Sequence, residues 1–175
     1  MAPSRLSVFL LTAALCAMVC DGEIHPKEME ELQFMVKELP AFQGEDLDEV
    51  LSARIHEAKA DPFHLFESFF LDLRDANLEI HESLLVLEFV IRTIRADARI
   101  DPAEVQFTLS TVRALKLPWE VITSRFGALP FVAEAMEPER HLVQDPLSTP
   151  QIRAMLLDWG LASEGKVIDA EATDL

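Results

Sequence analysis

Asp21, Glu23 and Glu28 lie within eight residues of one another, and Asp97, Asp101 and Glu104 form a second such concentration further along the chain. Carboxylates at this density have two uses. They can give oxygen ligands to a hard divalent cation, which wants several at once. They can also accept hydrogen bonds from the orphan amides at helix starts and favour the positive helix N-termini. Capping is the simpler use, and the residues alone leave both open. Asp21-Gly22-Glu23-Ile24 followed by Glu28 invites comparison with positions 5 to 8 and 12 of an EF-hand loop. Positions 1 and 3 would then be Ala17 and Val19, and in the second stretch Thr93 and Arg95. Ala and Val side chains offer no oxygen, so a conventional EF-hand is excluded. A cation here would need ligands from both stretches together, or from a partner. Its identity is not readable from the residues.

Little else in the chain competes as chemistry. His25, His56, His64, His81 and His141 show no ligand spacing of the HExxH kind. Cys16 and Cys20 stand one helical turn apart, and buried thiols are a simpler expectation than a soft-metal site. No GxSxG, phosphate-binding glycine loop or catalytic cysteine signature is present, and His25-Pro26-Lys27 lacks the acid of the J-domain tripeptide. The expectation is a protein that is not an enzyme. Thirty-one acidic against fifteen basic residues give a formal charge of −16, which repels phosphate backbones and anionic lipid. Nucleic acid and direct membrane insertion are therefore not expected, and a protein partner with a basic surface is.

The acids are positioned by what flanks them. Asp21, Ile24, Pro26 and Glu28 reappear 76 residues later as Asp97, Ile100, Pro102 and Glu104, four identities in eight positions. An apolar stretch precedes each acidic turn and an amphipathic one follows, so about 10–39 faces about 86–115 as an internal repeat. His25 and Asp101 stand where an N-cap belongs, Pro26 and Pro102 at the first helical position, Glu28 and Glu104 at the third. Gly22 suits a left-handed helix end, whereas Ala98 is expected to manage otherwise. Further helices are expected over Asp46–Lys59, from Pro62 with a core stripe of Phe63, Phe66, Phe69, Phe70 and Leu73, over Glu79–Ala96, over Trp119–Phe126 before Gly127, and from Thr149 to Trp159.

Leu6–Cys20 has two readings of its own. At fifteen residues it is short of the roughly 20 that span a bilayer. It could be a secretory leader, cleaved after Cys16 or Ala17, though its basic region holds only Arg5 and the terminal amine. It could equally be a buried helix. The repeat favours the second, because cleavage would strip one copy of its core. The expected location is then the cytoplasm, with secretion the alternative if residues 1–16 act as a leader.

An apolar helix running into CDGEIHPKE, and another into RADARIDPAE with LKLP beyond, resembles the tellurite-resistance TerB-like family, which is similar in turn to the N-terminal region of DjlA co-chaperones. The resemblance covers roughly Arg5 to Ala128. It implies an all-α helical bundle of two related helix–turn–helix halves, a non-enzymatic role in stress response or defence within protein complexes, and a metal site at the turns. Carried over, that site is Asp21, Glu23 and Glu28 with Asp97 and Glu104. The second turn departs from the pattern, having Ala98 and Arg99 where glycine and an acid are usual. Residues 129–175 have no counterpart; they are expected to be a Pro-interrupted extension carrying one helix at about 150–160 and a disordered tail.

Overall fold

The most apolar stretch of the chain becomes its innermost helix. The computed structural model describes residues 4–43, 47–129 and 149–158. Helix α1, Arg5–Val19, starts at Ser4, whose hydroxyl accepts from the Ser7 amide at 3.0 Å. Twelve of its fifteen residues are buried. A helix apolar all round needs cover on every side, and α1 is covered by α2 (Pro26–Glu38), α3 (Leu47–Ala60), α4 (Pro62–Asp75), α5 (Ile80–Ile94) and α6 (Pro102–Leu115). A 3-10 turn, Pro40–Phe42, follows α2; α7 is Trp119–Phe126 and α8 is Thr149–Asp158. Every regular element among the described residues is helical, so the protein is an all-α bundle.

The phenylalanine stripe of α4 is core, as its spacing predicts. Phe66, Phe69 and Phe70 gather around Phe107 of α6, with ring centroids 5.6, 5.9 and 5.8 Å from it. Ile152 and Leu156 of α8 are fully buried in the same core, so part of the expected extension packs onto α4. A smaller cluster of Leu87, Ile91, Leu109, Val112, Leu117, Ile122 and Leu129 seats α7 against α5 and α6. Buried hydroxyls on these helices are satisfied by their own turns: Thr93, Thr108 and Thr111 each donate to the carbonyl four residues back. Arg92 of α5 ties α2 to the bundle, reaching Glu31 at 2.7 Å with its guanidinium over the Phe34 ring.

Helix starts follow the predicted chemistry. Asp61 caps α4 through the His64 amide at 2.9 Å, and the Glu82 carboxylate accepts from the Glu79 amide at the head of α5. Among the described residues no helix is long and apolar enough to cross a membrane. Asp46, His141, the prolines from Pro130 to Pro146, the closing Trp159-Gly160 and the tail beyond lie outside the described residues.

Candidate functional site

Two turns, one after α1 and one after α5, are built alike. In the first, Gly22 takes φ +93° and its amide donates to the Val19 carbonyl at 3.1 Å. In the second, Ala98 takes φ +63° and its amide donates to Arg95 at 3.2 Å. Asp21 then accepts from the Glu23 amide at 2.9 Å, and Asp97 from the Arg99 amide at 2.8 Å. The caps come next. His25 Nδ1 accepts from the Lys27 amide while the Glu28 carboxylate accepts from the His25 amide at 2.9 Å. Asp101 accepts from Ala103 at 2.9 Å, and Glu104 from the Asp101 amide at 2.6 Å.

Ala98 corrects the sequence reading. It finds no other route and adopts the left-handed conformation that Gly22 holds without a Cβ penalty. That conformation costs an L-residue roughly 1–2 kcal/mol, and part of any relief by glycine is lost to the freer unfolded chain. Ala98→Gly should therefore stabilise the protein by roughly 0.5–1 kcal/mol. Urea unfolding midpoints of the two proteins check this.

Because α1 lies along α5, the turns that follow them emerge together. Between them is a pocket of about 230 Å³ lined by Asp21, Glu23, Glu28, Asp97, Asp101 and Glu104. These are the six acids the sequence singled out, drawn from two stretches 76 residues apart. Two further side chains share the wall. Arg99 is there, as its place in the second turn suggests, and among the described residues it forms no ion pair with the acids. His25 is the addition that ligand spacing missed; the signal was its alignment with Asp101.

The electrostatics of the pocket are those of acids held too close. Glu28 and Glu104 are only 5% and 4% exposed. Burial, reinforced by repulsion from Glu104, Asp21 and Asp97, raises the Glu28 carboxyl to about 8 in spite of the His25 amide. Burial and the charges of Asp21, Asp97 and Asp101 raise Glu104 to about 7. Asp21, though exposed, is also raised, chiefly by partial desolvation and then by Asp101 and Glu23. Beneath them the Cys20 thiol, pushed up by burial and by Glu104, Asp21 and Glu28, stays protonated. Among the described residues no three His, Cys, Asp or Glu side chains are drawn together tightly enough to hold a metal ion as they stand. Five of the six acids each keep an oxygen on a backbone amide.

Set beside known proteins, the chain matches no family model, no curated protein and no solved structure.

Proposed function

We propose that the protein is a non-enzymatic, TerB-like module of stress response or defence that takes up a divalent cation between its two acidic turns. The observation that carries this reading is the convergence of six carboxylates, three from each turn, on one pocket. A hard cation would replace their repulsion with attraction and satisfy oxygens that the caps leave over. Glu23, whose carboxylate holds no backbone amide among the described residues, would swing inward, while the other five acids would turn their remaining oxygens toward the ion. The matched geometry of the turns supports a duplicated helix–turn–helix as the origin of the site. Calorimetry with calcium, magnesium, manganese and zinc chlorides tests the proposal. We expect stoichiometric binding of at least one ion, weakened at least about tenfold, or about 1.4 kcal/mol, when Asp21→Asn and Asp97→Asn are combined. Absence of binding by every ion, or binding indifferent to the double substitution, removes it.

The formal charge of −16 supports a basic protein surface as the partner of this module. A cytoplasmic location goes with a retained α1. Affinity purification from the native host that recovers no defined partner would count against the interaction role.

A further inference from the structure

A second cleft, of about 310 Å³, opens between α1, α3 and α4, away from the acidic turns. Its floor is apolar: Phe9 and Phe69 are 7% and 1% exposed. Four charges stand around it, Arg5, Arg54, Asp72 and Asp75. Two of these are already neutralised. Arg54 is held by Glu57 at 2.7 Å, and Asp75 takes two hydrogen bonds from Arg74 at 2.8 and 3.1 Å. Arg5 and Asp72 have no ion-pair partner among the described residues.

Both are also at the wrong end of their helices. Arg5 is the first residue of α1, where the helix dipole already presents positive charge. Asp72 is in the last turn of α4, where the dipole presents negative charge. Neither placement is one that helix stability selects, yet both side chains line the same cleft. The Arg5 guanidinium carbon lies 5.7 Å from the Phe9 ring centroid, which keeps it over the apolar floor. The Thr12 and Ser68 hydroxyls on the walls donate to Val8 and Leu65 carbonyls at 2.8 and 3.0 Å, so what they have left to offer is acceptor capacity.

We infer that this cleft is a binding site for a small zwitterion bearing an apolar group, its anionic end held by Arg5 and its cationic end by Asp72. A simple anion would meet the Asp72 carboxylate and a simple cation the Arg5 guanidinium, so a ligand with one charge of each sign is the complement. Free α-amino acids with aliphatic or aromatic side chains are the chemical class. The two hydroxyl oxygens add acceptors for the ammonium end.

The test is a calorimetric or NMR titration of the full-length protein with leucine, valine and phenylalanine, against phenylpropanoate and phenethylamine as singly charged controls. At least one zwitterion should bind at least about tenfold more tightly than either control. Arg5→Gln and Asp72→Asn should each weaken that binding by about the same factor. Both variants should melt close to the parent, because each removes a charge opposed to its helix dipole and Arg5→Gln gives up the Phe9 contact in exchange. The inference is overturned if no zwitterion binds, if a singly charged control binds equally well, or if either substitution leaves the affinity unchanged.

Discussion

Without added cation the protein should lose stability as pH rises from about 5 to about 8, the reverse of what carboxylates lowered on folding would give. The sign follows from Glu28 and Glu104. Their folded-state carboxyls sit at about 8 and about 7, above the ordinary glutamate value of 4.5. A group raised on folding holds its proton more tightly in the native state, so its stabilising effect is full below the unfolded value. That effect is lost as pH climbs through the folded value. One pKa unit corresponds to about 1.4 kcal/mol, so two buried, mutually repelling carboxyls make the loss a few kcal/mol. Asp21 shifts in the same direction, but it is exposed and solvent screens its share. Urea unfolding at pH 5, 6.5 and 8 reads the slope, and Glu28→Gln with Glu104→Gln should flatten it while keeping a side-chain oxygen for each cap. A bound divalent cation must displace those protons. Its addition at pH 8 should therefore restore the lost stability, and at pH 7 its binding enthalpy should vary with the ionisation enthalpy of the buffer. A profile already flat in the parent protein would contradict the pocket's electrostatics.

A chain starting at Ala17 should not fold, whereas one starting at Ser4 should. Nine buried residues of α1 precede Ala17, among them Phe9, Leu10, Leu11 and Leu15. At about 1.5–3 kcal/mol for each large side chain, those four alone represent roughly 6–12 kcal/mol of burial. The net stability of an ordinary domain is about 5–15 kcal/mol. The truncation would also bare the faces of α4 and α5 that α1 covers. Circular dichroism and a thermal melt distinguish the outcomes. A cooperative melt from the Ala17 chain would make α1 dispensable and favour the secreted alternative, which mass spectrometry of the native N-terminus tests directly.

How far the residues spoke for themselves differs from element to element. Helix starts were readable because capping chemistry is local: His25-Pro26 and Asp101-Pro102 each have a glutamate at the third helical position. The convergence of the two turns was half readable, since matched flanks imply matched structures without saying that they meet. Ala98 departs from its expected conformation because alanine's aversion to positive φ is a local cost, and the packing of α5 and α6 on either side outweighs it. The innermost helix is ambiguous for a different reason: a leader and a buried helix are both runs of apolar residues, which composition does not tell apart. The cleft lined by Arg5, Arg54 and Asp72 could not be anticipated, because residues so far apart in sequence meet only once α1, α3 and α4 are docked.

Both cysteines of the chain lie at the end of this central helix, and each thiol is raised well above its ordinary value by burial. A thiolate is what alkylating reagents attack, so neither sulfur reacts until the helix around it comes away. They also sample different openings. Cys16 is fully enclosed, one turn deeper, while Cys20 lies directly under the acids of the first turn. Alkylation kinetics at Cys16 therefore report release of the entire central helix. Any faster alkylation at Cys20 reports fraying of the turn alone, which gives the native protein a two-position clock for separating local from global opening.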